Sequence, residues 1–119
     1  MAFTNAELNA ALDALGPRWA YASLHTASPS TTGANEVSGG SPAYARIPIV
    51  WDPASGQVLG LNAPLVFNVP ASTTVAYVGI WSALTGGTFR GSDQLSSSET
   101  FTAHGTYTLD SLNVTASST

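Results

Sequence analysis

Hydrophobic positions along this chain follow two rhythms, and the change between them comes near residue 18. Before it, Leu8, Leu12 and Leu15 recur at i, i+4 and i+7, the spacing of a single helical stripe. Thr4 and Glu7 carry the S/T-x-x-E spacing of a capping box, in which each side chain satisfies an orphan backbone donor, and Phe3 and Leu8 sit at the flanking staple positions. Gly16 and Pro17 supply the stop. The pattern predicts a helix over residues 5–15. With Ala10, Ala11 and Ala14 around its stripe, that helix is narrow-faced and suited to lie across a sheet or a neighbouring subunit.

After residue 18 the period becomes two. RWAYASLHT alternates large and small residues, and ARIPIVW places Ile47, Ile49 and Trp51 on one face with Arg46 and Val50 on the other. Pro48 cannot donate to a ladder, so its strand belongs at a sheet edge or at a bulge. QVLGL and PLVFNV continue the signal, and TTVAYVGIWS is apolar on both faces, which predicts a central strand. Gly79 within it marks a bulge or a close backbone approach. GTFRGS, SETFTA and GTYTLDSLNVT complete the set. In the last of these Tyr107 and Leu109 share one phase and Leu112 and Val114 the other, so the register breaks near Asp110 and Ser111.

Turn residues punctuate these runs at Asp52 to Gly56, Asn62 to Pro64, Pro70 to Ser72, Thr85 to Gly87 and His104–Gly105. About eight short strands at regular spacing, with one short N-terminal helix and no βαβ rhythm, predict a mainly β protein. The expected form is an antiparallel two-sheet β-sandwich of jelly-roll or immunoglobulin-like type. The expected organisation is a single domain: residues 1–18 as a helix packed on the sandwich or on a neighbour, 19–115 as the sandwich, and 116–119 as a flexible tail.

Composition narrows the function classes. A chain of 119 residues makes one modest core. Three arginines, no lysine and seven carboxylates, for a net charge of -4, leave no basic footprint for nucleic acid. With 44% apolar content the chain has enough to bury, so it folds rather than staying disordered. The absence of cysteine excludes disulfides, thiolate zinc sites and thiol nucleophiles. MAFTNAELNAAL lacks a basic n-region and a continuous apolar h-region, and nowhere do 18 apolar residues run together, so neither a signal peptide nor a membrane span is expected. A small domain without covalent or metal staples gains from oligomerisation, which removes more apolar surface from water.

Candidate chemistry is sparse. His25 could converge with Asp93 or Glu99 and a serine, but no G-x-S-x-G elbow or H-E-x-x-H spacing occurs, and a loop-capping role explains His25 as well. His104 lies in a His-Gly turn. Asn35 and Glu36, with Thr31, Thr32 and Ser38, offer oxygens for calcium but only one carboxylate among them. Gly33, Gly39 and Gly40 lack the lysine and the following helix of a phosphate loop. No catalytic residue, metal or cofactor is expected, and the chain reads as no enzyme. Exposed aromatics on a β-sandwich also bind sugar rings, but Trp51, Tyr77 and Trp81 fall in phase with aliphatic residues and read as core. Tyr44, in SPAYAR, lies outside any alternation and reads as an interface aromatic. In a chain so poor in charge, Arg18, Arg46 and Arg90 each call for a specific carboxylate, an interface or solvent.

The pieces LHTA, TGANEVSGG, YAR, the GIWSA-then-GGTF run and GTYTL, spread over residues 19–114, together resemble a family of small virion proteins. These are tail-fibre-like or minor tail proteins of tailed bacteriophages infecting actinobacteria. The resemblance implies a non-enzymatic structural protein in multiple copies, made in the bacterial host cytoplasm and carried on the virion, at the tail or the capsid surface. It carries over no catalytic or binding residues. The leading expectation is a minor tail or tail-fibre-associated subunit. Its partners would be copies of itself, as a trimer, and another phage structural protein, with no nucleic acid and no membrane. A capsid decoration protein that stabilises the head is one alternative, and a carbohydrate-binding domain that recognises a host surface glycan is another.

The stretch LHTASPSTTGANEVSGGSPAYAR holds about fifteen residues without periodicity, which in a small domain marks a functional or disordered segment. Residues 28–44 are expected to form an extended arm on a neighbour, with Glu36, Tyr44, Arg46 and Pro48 as the interface residues. An ordered conformation held mainly by contacts within the chain would count against that arm.

Overall fold

A computed structural model of the chain describes residues 1–117. The helix, α1, spans Asn5–Leu15, as its stripe predicts. Thr4 caps it: the Glu7 N–H donates to Thr4 Oγ1 at 3.2 Å. Leu8 and Leu12 are buried against the chain itself. Two side chains on the same helix tie down the turn that follows residue 53, Asp13 Oδ1 accepting from the Ala54 N–H at 2.7 Å and Asn9 Oδ1 from the Gln57 N–H at 2.8 Å. A 3-10 turn over Gly16–Arg18 ends the element.

Among the described residues eight strands follow: β1 Tyr21–His25, β2 Ile47–Pro48, β3 Val58–Leu59, β4 Leu65–Val69, β5 Thr73–Trp81, β6 Phe89–Phe101, β7 Gly105–Leu109 and β8 Val114–Thr115. All pairings are antiparallel. The mainly β, antiparallel fold with one short N-terminal helix is therefore as expected. The strands are shared among a four-stranded sheet in the order β2-β1-β5-β6 and two ribbons, β3-β8 and β4-β7, and among the described residues no sheet closes into a barrel.

Pairing explains several sequence features. β2 is an edge strand, so Pro48 costs no ladder bond to a neighbour on its free side. β5, apolar on both faces, lies between β1 and β6, with Val75, Val78, Ile80 and Trp81 buried. The phase change at Asp110 is where the chain leaves the β4-β7 ribbon to reach β3. The two strands read from GTFRGS and SETFTA are instead one thirteen-residue strand, β6, which runs through the polar residues between them. Its ladder with β5 sets that strand, and as an edge it needs no apolar alternation.

The core lies between the main sheet and the β4-β7 ribbon: Ala22, Leu24, Val37, Leu65, Phe67, Val69, Val75, Val78, Ile80, Leu109 and Leu112 form one cluster. Phe67 is its largest fully buried side chain, and burial of a ring of that size contributes about 2–3 kcal/mol. Of the expected tail, residues 116–119, the last two lie outside the described residues.

Candidate functional site

The segment between β1 and β2 is ordered and folds back on its own chain. The Thr26 N–H donates to Asn35 O and the Val37 N–H to Leu24 O, each at 3.0 Å, so Glu36 lies opposite His25 in an isolated antiparallel bridge at the end of β1. The Gly33 and Ala34 N–H groups both donate to Pro29 O, closing the turn between. Pro29 and Val37 are buried, and Gly33 sits at φ +79 so close to Trp81 that a Cβ there would fall 2.4 Å from the indole. These apolar anchors correct the expectation of an extended arm over residues 28–44: the sequence shows a polar stretch, but two buried residues and a glycine seat it on the sheet.

This folding brings three of the four expected interface residues together. The Arg46 guanidinium meets the Glu36 carboxylate through two bonds, Nε to Oε2 at 3.0 Å and Nη2 to Oε1 at 2.9 Å. Its Nη1 donates to the carbonyls of Ala83 and Gly86 at 3.0 and 2.9 Å, in the loop between β5 and β6. The guanidinium also lies 3.7 Å from the centre of the Trp81 ring. Tyr44 completes the cluster: its hydroxyl donates to Glu36 Oε2 at 2.8 Å and accepts from the Leu24 N–H at 3.0 Å, and its ring stacks on Phe67. The side chains of Arg46 and Glu36 are 9% and 21% exposed, so the pair is a partly desolvated junction between two loops.

Charge balance follows from these contacts. Burial alone would raise the Glu36 carboxyl, but the Arg46 and Tyr44 hydrogen bonds with the Arg46 charge outweigh it and hold the group below its usual range. Burial, with the Glu36 carboxylate accepting its proton, keeps the Tyr44 phenol protonated far above its ordinary value. With both Glu36 oxygens engaged, the carboxylate weighed as a calcium ligand is committed to Arg46 and Tyr44. Among the described residues no group of three or more His, Asp or Glu is placed to hold a metal ion.

Beneath the junction lies a second polar group, around the His25 weighed above both for catalysis and as a loop cap. Ser23 and His25 are both fully buried. His25 Nδ1 is 2.8 Å from Ala34 O and Nε2 is 2.7 Å from Ser23 Oγ, which in turn accepts from the Trp81 indole N–H at 2.9 Å. Gly79 faces this chain, and a Cβ there would fall 2.5 Å from Ser23 Oγ and 2.6 Å from His25 Nε2. Gly79 is thus the close backbone approach its place in an apolar strand signalled. Asp93 and Glu99, the acids considered beside His25, lie on β6 and make no hydrogen bond to it. A serine-histidine pair enclosed in this way presents no nucleophile to a substrate.

Pro48 stands apart from the other three. It lines an open groove of about 610 Å³ with Asp13, Tyr21, Val50, Trp51 and Asp52 among its neighbours, whereas Glu36, Tyr44 and Arg46 border a smaller hollow of about 360 Å³ with Gly86. Sequence reasoning missed the Ala83 and Gly86 carbonyls, since a main-chain acceptor leaves no residue signature, and Ser23, whose only signal is its i, i+2 spacing from His25.

A family model described as Podophage GP4 fiber I protein gp80 matches residues 3–117. No curated protein matches the chain. The family match supports the tail-fibre-like part of the resemblance and lends no support to an actinobacterial host.

Proposed function

The chain belongs to the podophage GP4 fiber I protein gp80 family, and from that premise we propose that it is a non-enzymatic, tail-fibre-associated virion subunit that binds another phage structural protein and copies of itself. The observation that carries this reading is the family match across nearly the whole described chain. Three physical features support it. The polar groups that invite a catalytic reading, Ser23, His25 and Glu36, are committed to bonds within the chain. The long segment between β1 and β2 is locked by the Glu36–Arg46 pair, which gives a rigid surface to dock on. Among the described residues no helix is long and apolar enough to cross a membrane.

Quantitative mass spectrometry of purified particles tests the placement. A tail-fibre subunit is present at low copy number relative to the major head protein and separates with tails when particles are dissociated. A copy number comparable with the head protein would replace this reading with capsid decoration. Light scattering tests assembly: a protein that stays monomeric at high micromolar concentration and does not bind particles lacking it would sink the proposal.

One observation favours glycan recognition as a second reading. The groove beside Pro48 combines the Tyr21 and Trp51 rings with Asp13 and Asp52, the pairing of apolar platform and hydroxyl acceptor that sugars use. Tyr44 does not serve there, because its ring is stacked on Phe67 and its hydroxyl is taken. On this reading host glycans shift tryptophan fluorescence, and Trp51→Ala abolishes the shift while Tyr44→Phe does not.

A further inference from the structure

The donor and acceptor order around His25 has only one solution in the neutral protein. A carbonyl only accepts, so His25 Nδ1 carries a proton and donates it to Ala34 O. The Trp81 indole N–H only donates, so Ser23 Oγ receives it, and the serine hydroxyl proton goes to the bare Nε2. Every atom in this relay is satisfied, and among the described residues no buried side-chain N or O lacks a partner. A second proton on the imidazole would sit on Nε2 and turn that nitrogen into a donor, so Ser23 Oγ would accept from both Nε2 and Trp81 and the buried serine hydroxyl proton would lose its acceptor. It would also place a cation in a fully buried site.

The groups around the ring do not remove that conflict. From the segment after β1, the Glu36 carboxylate attracts the added charge and the Arg46 guanidinium repels it, and the two are already paired with each other. From β5, Tyr77 pairs with His25 across the ladder, and from β6 the Phe89 ring meets the imidazole edge-on. Gly79 leaves no slack on the sheet side. The segment through Ala34 and Glu36 covers the ring from outside the sheet ladder; two backbone bonds, the buried Pro29 and Val37 and the Glu36–Arg46 pair hold it down.

We propose that His25 is an acid-sensitive latch: proton uptake at Nε2 breaks the Trp81–Ser23–His25 relay and lifts the segment of residues 26–45 from the end of β1, while the sheets stay paired. The opening lets water reach the imidazole and exposes the Glu36–Arg46 junction. It is a local transition, distinct from global unfolding.

Amide hydrogen exchange on the full chain, corrected for the intrinsic pH dependence of exchange, tests it. The amides of Thr26 and Val37, which bond across to Asn35 and Leu24, report the segment, and those of the β4-β7 ribbon report the sheets. With an ordinary histidine in the open form and no proton on the closed one, the opening constant grows about thirty-fold between pH 7.5 and pH 5. His25→Gln, which keeps a donor and an acceptor but does not titrate, abolishes that growth. Equal acceleration in H25Q, or in the ribbon amides, overturns the proposal. Should H25Q fail to fold, the imidazole ¹⁵N resonances of the unmodified protein decide. The latch requires the Nδ1–H tautomer at pH 7.5 and proton uptake in step with segment opening. A ring that stays neutral, with the segment protected until the whole chain unfolds, overturns it.

Discussion

Replacing Arg46 by Met isolates the Glu36–Arg46 junction. The substitution keeps an aliphatic side chain and removes the guanidinium, and with it the contact over the Trp81 ring, two bonds to Glu36 and two to the carbonyls of Ala83 and Gly86. Removing one partner of a buried pair costs about 3–5 kcal/mol, because the other charge is left uncompensated. Glu36 keeps some solvent contact and its Tyr44 bond, so the lower end, about 3 kcal/mol, applies here. Against a total stability of about 5–15 kcal/mol that is a large loss, and it lowers Tm by about 10–15 °C in a domain of this size. Urea unfolding of the isolated monomer measures it. In R46M/E36Q no charge is stranded and the amide oxygen at position 36 still accepts from Tyr44, so the double variant recovers about 2 kcal/mol relative to R46M. A loss below about 1 kcal/mol in R46M, with no recovery in the double variant, would show the pair to be an ordinary surface bridge and refute the junction. If R46M kept its monomer stability but no longer joined particles, Arg46 would be the interface residue its scarcity first indicated.

Further outcomes follow from the same structure. Gly79→Ala drives a methyl into Ser23 Oγ and His25 Nε2, and lowers the urea midpoint by an amount equivalent to about 3 kcal/mol; a cost under about 1 kcal/mol would mean that the relay has room to move. Stability is greatest above about pH 7: His25 is pushed below its ordinary value by burial, so the unfolded chain takes up a proton first and stability falls as pH drops through about 6.5. Glu36, held low in the folded state, adds a second loss as pH falls below about 4.5 and on through its folded value, and E36Q removes that limb whereas H25Q removes the first. Midpoints that rise from pH 7 to pH 5.5 would contradict the sign. Thr4→Ala unties an exposed cap and costs about 0.5–1 kcal/mol, read as lost helical signal and a small Tm shift.

Much of the fold was legible because burial leaves a period. Leu8 and Leu12 located α1, and the doubly apolar TTVAYVGIWS located the central β5, because each must hide its side chains and the spacing says where. Pro48 marked an edge because a missing donor has a single consequence. β6 escaped as one strand because its ladder is made by backbone, and SDQLSSSE bears no trace of its partner. The junction was half legible. Glu36, Tyr44 and Arg46 stood out as the charged and aromatic residues of a polar loop, but whether they faced a neighbour or their own chain depended on Pro29, Val37 and Gly33, which hold the segment down. Short loop residues of that kind carry no periodicity, so nothing in their spacing distinguishes a buried anchor from an exposed turn.

The sheet edges limit how another strand could add to this fold. At one edge of the main sheet β2 offers two residues, one of them a proline without an N–H. At the other, β6 offers thirteen, but its pairing shifts register twice, and between the Tyr77–Gln94 and Val75–Glu99 pairs four residues of β6 stand against Ala76 alone. The same strand carries Arg90, Asp93 and Glu99, all exposed. Irregularity and charge along an edge are how β proteins prevent another strand from adding to it. Strand addition by another chain is therefore disfavoured at both edges, which leaves side-chain surfaces as the places where a partner could dock. Val50, 64% exposed beside the Pro48 groove, Val66, 53% exposed on the β4-β7 ribbon, and Leu84, 48% exposed in the loop after β5, are among the large apolar side chains those surfaces offer. An interface built on such faces is set by shape and a few apolar anchors, so it tolerates the polar, serine-rich β6 that a strand-adding interface would not.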